Sequence, residues 1–210
     1  MTQMDVTVGS LARLPGRRSA AEAKPETVAQ ALNAFSALGV LRDRGIPGRR
    51  ASLDWLVVGS FGVFVIDEHA AETERTITVR VRPSTGQFGP WTVVANGQDH
   101  PQALSGAQSR GDVVRDALET AGIATPVESV VCFNRASLPP MRRQLRVGPC
   151  VVAGLPGLAR LLRTSGPLTA EDQARVLAAL ETAFPVLPGG ALGDADELAG
   201  PEHAASREAS

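Results

Sequence analysis

The chain has little cysteine, no charge imbalance and no long apolar run, and each lack narrows what it can be. Its two cysteines in 210 residues, Cys132 and Cys150, lie in separate apolar stretches, with no C-x-x-C spacing and no histidine pair nearby. That arrangement gives neither a disulfide framework nor a zinc site. Buried, reduced thiols are the expectation, which fits a reducing cytoplasm. A formal net charge of −1 provides no global positive field, so contact with nucleic acid would need a local basic patch. No window approaches the roughly 18 apolar residues of a membrane span, and residues 1–24 lack the apolar core of a secretory signal. A soluble, cytoplasmic protein without membrane contact follows as the expectation. Walker loops, G-x-G-x-x-G, G-x-S-x-G and zinc-ligand spacings are missing too. Nucleotide hydrolysis, dinucleotide chemistry and serine hydrolysis therefore have no support.

What is there is enough for one domain with short tails: 43% apolar residues, 15 prolines and 21 glycines. The abundance of alanine, arginine, glycine and proline suggests a GC-rich bacterial genome. Residues 1–18 show no periodicity and read as a flexible arm. Val28, Leu32, Phe35 and Gly39 fall at three- and four-residue steps, which predicts a helix from Pro25 at its first turn to Gly39 at its C′ position. LDWLVVGSFGVFVI, residues 53–66, predicts a β-hairpin reversing at Gly59–Gly62. Further strands are expected at Thr76–Arg82, Trp91–Ala95, Val127–Phe133 and Pro149–Ala153, and helices at 101–121, 155–163 and 170–184. Thr169 with Asp172 forms a capping-box pattern before the last helix. From Leu187 the chain loses apolar period and reads as a disordered tail. The order fits an α/β fold, a central mixed β-sheet with helices packed on it.

The chemistry-bearing constellation is Asp54, then Asp67 thirteen positions later, then His69. Asp54 begins the first hairpin strand and Asp67 ends the second, so an antiparallel return brings both carboxylates to one end of the sheet. Paired carboxylates suit a hard divalent cation such as Mg²⁺ (or Mn²⁺), which can activate water against a phosphodiester. Taken singly, an aspartate at a strand end is more often a cap or turn former, and His69 a polar loop residue. His100 reads as a turn before a helix, and His203 as part of the tail.

LDWLVVGSFGVFVIDEH resembles the core of the nuclease-related (NERD) domains, where a pattern close to IDHVVVGPGGVFVIDTK recurs. The likeness extends over residues 20–163. It implies a restriction-endonuclease-like fold of the PD-(D/E)XK group, with a glutamate from the first helix, the hairpin aspartate and a D-x-K motif as the site. Asp54 matches the hairpin aspartate and Asp67 the acid of D-x-K. His69 stands at the lysine position. The helix motif, close to G-E-x-x-V in the family, reads Lys24-Pro25-Glu26-Thr27-Val28, so proline holds the glutamate position and Glu26 comes one residue late. One residue is ~100° of helix rotation. Histidine, with an ordinary pKa of ~6.5, does not reproduce a permanent cation.

Arg42, Arg44, Arg49 and Arg50 cluster in what reads as a loop leading to Asp54, and Arg142, Arg143 and Arg146 follow Pro140. Such runs are usually solvated surface; if the two loops met near Asp54 they would form a phosphate-binding rim. Gln108 and Arg110 match a glutamine-arginine pair on a NERD helix. Resemblance and departures together imply a nuclease-related protein with Asp54 and Asp67 as metal ligands, degenerate or weak cleavage, and contacts to DNA or a DNA-processing partner. One alternative is a non-enzymatic interaction module. Another is an active Mg²⁺-dependent DNase with Glu26 and His69 as altered site members. The expected organisation is an arm at 1–18, the α/β domain at 19–165, a C-terminal helix at 166–186 and the tail at 187–210.

Overall fold

The computed structural model describes residues 27–69, 77–83, 91–95, 97–134, 136–138 and 144–187. The expected arm, Pro25, Glu26, Arg142, Arg143, His203 and the rest of the tail lie outside the described residues. The architecture is α/β. A six-stranded mixed sheet runs in the order β1 (Gly39–Gly45), β2 (Ser52–Gly59), β3 (Gly62–His69), β7 (Val127–Phe133), β10 (Cys150–Gly154), β9 (Gln144–Val147). Its first three strands are antiparallel, β3–β7 and β7–β10 are parallel, and β9 returns antiparallel. A smaller sheet runs β6 (Gln98–His100), β5 (Trp91–Ala95), β4 (Ile77–Pro83), β8 (Ala136–Ser137).

Strand alternation sends side chains to two apolar layers. On one face Trp55, Val57, Phe64, Ile66, Val130 and Cys132 pack against α1 (Val28–Leu32) and α3 (Leu155–Leu162). On the other, Leu56, Val58, Val63 and Val65 pack against α2 (Pro101–Thr120) and α4 (Ala170–Ala183). Because β3 and β7 are covered on both faces, their apolar runs are nearly continuous. The amino-terminal half of α2 also carries β5, through Val93 and Ala95 against Ala103, Leu104 and Ala107. Cys132 and Cys150 are buried and free. Thr169 and Asp172 form the expected capping box on α4. No helix among the described residues is long and apolar enough to cross a membrane.

The first helix is the main correction. It ends at Leu32, with Asn33 as its C-cap, and Gly39 opens strand β1 instead of closing a helix. Phe35 and Leu38 still pack on the core, but from a turn, so their spacing fulfils an apolar pattern without helical backbone. Arg42 and Arg44 accordingly lie on a strand, not in a loop. The hairpin reverses through Ser60 and Phe61, with Gly59 paired to Gly62. Gly62 sits at φ 149° against the Pro126 carbonyl, which accepts from the Val63 N–H at 2.9 Å. A side chain there would strike that carbonyl, so the glycine serves the hairpin's approach to the start of β7.

Candidate functional site

The end of the sheet carries a transverse row of aspartates. Trp55 pairs with Ile66 across β2 and β3, and one step further Asp54 faces Asp67. In β1, Arg42 pairs with Trp55 and Arg44 with Leu53, so Asp43 lies opposite Asp54. Asp43 has φ 49°, the one non-glycine residue in the left-handed region among the described residues, and its carboxylate turns outward to Arg42 at 3.0 Å. Asp54 and Asp67, predicted as a pair, are thus brought together. Asp43 was not anticipated, since its stretch reads as loop.

Asp54 Oδ2 accepts from the Glu68 N–H at 2.9 Å, and burial raises its pKa against the lowering influence of that N–H and of Arg110. Asp67 is buried. Its Oδ2 accepts from Arg110 Nη1 at 2.8 Å, while its Oδ1 is enclosed with no partner. Burial pushes the Asp67 carboxyl up to about 7; Arg110 pulls it down and Asp54 adds to the rise. Arg110 is fixed in turn by its Nε, which donates to the Ser52 carbonyl at 2.9 Å. This arginine reaches the sheet because α2 comes close at Gly111, where an added Cβ would collide with Ser129 Oγ on β7. Gln108, two residues earlier, is exposed, and only Arg110 of that pair joins the site.

His69 lies on the same face of β3 as Asp67, stacked on Phe133 at 4.9 Å between ring centroids and edge-on to His100 at 6.3 Å. Burial above all, with the Arg110 charge and the neighbouring His100 ring adding to it, lowers its pKa to about 4. It is a neutral ring in an aromatic group. His100 ends β6 and stands at the N-cap of α2, where a turn was expected.

Glu68 was not singled out in the sequence. Period-two alternation turns it to the opposite face, where it accepts from Trp55 Nε1 at 2.7 Å, Asn134 Nδ2 at 2.8 Å and the Val28 N–H at 3.4 Å. The signal available was its place between Asp67 and His69, which excludes it from their face.

Among the described residues, Arg146 does not meet the first arginine group. Arg42 and Arg44 belong to β1, and Arg49 and Arg50 are exposed in the turn before β2. Arg146 lies on β9 at the far edge, paired with Glu128 at 2.8 Å. Five strand spacings separate the two edges, about 24 Å. Arg42 also lies over the Trp55 ring at 4.8 Å, and Arg44 donates to the Phe184 carbonyl at 3.4 Å.

As arranged, one oxygen of each carboxylate is already engaged, and Asp67 Oδ1 is enclosed without a partner. Asp67 Oδ2 holds a guanidinium and Asp54 Oδ2 an amide, and Glu68 points away. No family model, curated protein or solved structure matches the chain.

Proposed function

We propose that this chain is a nuclease-related domain protein of restriction-endonuclease-like fold, with weak or lost metal-dependent cleavage, that contacts DNA or a protein handling it. The observation that carries this reading is the 2.8 Å ion pair of Arg110 with Asp67. A guanidinium stays charged at any physiological pH, and this one is anchored at its Nε by Ser52. Mg²⁺ or Mn²⁺, when bound at paired carboxylates, polarises a phosphodiester and supplies a nucleophilic water. To reach this pair, such an ion has to displace Arg110. His69, held neutral, offers no ammonium-like charge to stabilise a transition state.

The same ion pair favours a second reading, the non-enzymatic interaction module, because it ties α2 to β2 and β3 and so serves the fold. Cleavage separates these readings from an active enzyme. Supercoiled plasmid and linear duplex are incubated with Mg²⁺ or Mn²⁺ and either wild type or Asp54→Asn. The proposal expects little or no cleavage and no difference between the two proteins. Robust cleavage by wild type that disappears in Asp54→Asn overturns it. Duplex binding then decides between the two inactive readings, and its absence leaves the interaction module.

A further inference from the structure

A cleft lies at the reversal end of the hairpin, the opposite end from Asp54 and Asp67. Its walls are the turn after α1, Ser60 at the reversal, the carboxy end of α3 and the start of α4. Its volume is about 370 Å³, within the range of roughly 300–1,000 Å³ typical of small-molecule sites. The walls are tied to one another. Leu168 N–H donates to the Ser60 carbonyl at 2.9 Å, and Gln173 Nε2 donates to the Leu168 carbonyl at 3.2 Å. Gly166 meets the backbone of Ser60 and Phe61 so closely that no Cβ fits between them. The segment joining α3 to α4 is thereby clamped on the hairpin, and the cleft is pre-formed.

Arg163, the C-cap of α3, gives the cleft a positive charge, and among the described residues no acidic side chain lines it. The guanidinium lies over the Phe35 ring, 5.3 Å from the centroid. That contact uses the face of the guanidinium and leaves its in-plane N–H groups for other partners. Among the described residues no carboxylate pairs with it. The same cleft is lined by the hydroxyls of Ser36, Ser60 and Thr164 and by the amide of Gln173, each able to donate a hydrogen bond. An unpaired fork of donors, with hydroxyls beside it and no competing acid, suits the terminal oxygens of a phosphate monoester. Phe35 and Leu162 offer apolar surface to the body that carries the phosphate. From this arrangement we infer that the cleft binds a phosphate monoester on a small organic body. A free monoester and the phosphorylated end of a nucleic-acid strand share that chemistry. The site is separate from the carboxylate row and does not depend on cleavage there.

The test titrates phenyl phosphate into the full chain and follows the backbone amides of Ser36, Ser60 and Thr164. Saturable shifts are expected with phenyl phosphate and none with phenol. Arg163→Gln should weaken binding by about tenfold or more, the loss of a charge-assisted hydrogen bond. Arg163 is exposed, so the variant should keep the fold. Arg160→Gln, on the same helix but outside the cleft, should bind as wild type does. No saturable shift up to about 20 mM overturns the inference, and so does equal affinity of wild type and Arg163→Gln. Equal binding of phenol overturns the recognition of an anion. Two single strands, one with a terminal phosphate and one with a terminal hydroxyl, then separate the sources. A preference for the phosphorylated strand that Arg163→Gln abolishes supports the site and assigns the phosphate to a strand end. No preference, with phenyl phosphate still bound, supports the site and assigns it to a free monoester.

Discussion

Arg110 Nη1 and Asp67 Oδ2 lie 2.8 Å apart, and this ion pair joins helix α2 to the end of strand β3 at the point where paired carboxylates face each other. Its Asp67 end is buried and its Arg110 end partly exposed. Removing the arginine leaves an uncompensated buried acid, the costly way to break such a pair. Arg110→Gln should therefore cost about 3 kcal/mol near pH 8. Near pH 5, where Asp67 is protonated, about 1 kcal/mol is expected, the worth of a lost hydrogen bond. Urea unfolding at the two pH values measures both. An equal loss at both would mean that the pair is not what holds Asp67 charged.

The stability profile with pH carries a second signature. His69 is lowered to about 4 in the fold from ~6.5 in the unfolded chain. Between these values the unfolded state binds more protons, so His69 contributes stability above ~6.5 and loses it as pH falls toward 4. Asp67, raised to about 7 from ~3.9, acts in the opposite sense. Its contribution is fully present below ~3.9 and is lost as pH rises through 7. His69→Phe keeps the stack on Phe133 but removes the first slope. Between about pH 4.5 and pH 6 the variant's stability should fall with rising pH relative to wild type, by roughly one proton or about 1.4 kcal/mol per pH unit. Parallel profiles would contradict the assignment.

The approach of α2 to the sheet depends on a missing side chain. Gly111→Ala places a Cβ against Ser129 Oγ and should cost about 1–3 kcal/mol by overpacking. Ser129→Ala in the same chain removes the colliding oxygen and should restore most of that loss in a double-mutant cycle. An additive pair of losses would place the strain elsewhere.

Glu68 joins α1, β2 and the end of β7 through Trp55, Val28 and Asn134. Glu68→Ala strands those donors and should cost about 2 kcal/mol, with a shift in Trp55 fluorescence. Glu68→Gln, which keeps an acceptor for the indole, should lose less. Equal losses in the two variants would assign the effect to packing.

The hairpin, the convergence of Asp54 with Asp67, α2 and the two parallel strands were legible because each rests on local patterning: period-two runs, a glycine-flanked reversal, a Pro-initiated helix. The α1–β1 stretch was not, because Val28, Leu32, Phe35 and Gly39 follow a helical spacing that the core satisfies through a turn instead. Strand β1, and with it Asp43 beside Asp54, stayed hidden for that reason. Arg110 was visible as a polar helix residue beside Gln108, but nothing local distinguished the two. Which of them meets Asp67 is set by the rotation of α2 and by its closeness at Gly111 and Ser129, a tertiary relationship. The separation of Arg42 from Arg146 is likewise a matter of strand order.

With Arg110 serving as the cation of the carboxylate pair, weak or no binding of a divalent ion is the expected behaviour. Calorimetric titration of the full chain with Mn²⁺, beside Asp54→Asn, tests it most directly. The expected result is no saturable binding tighter than about 1 mM, roughly 4 kcal/mol, and no difference between the two proteins. Saturable binding by wild type that is lost in Asp54→Asn would contradict it, and would mean that Arg110 yields its place to the metal.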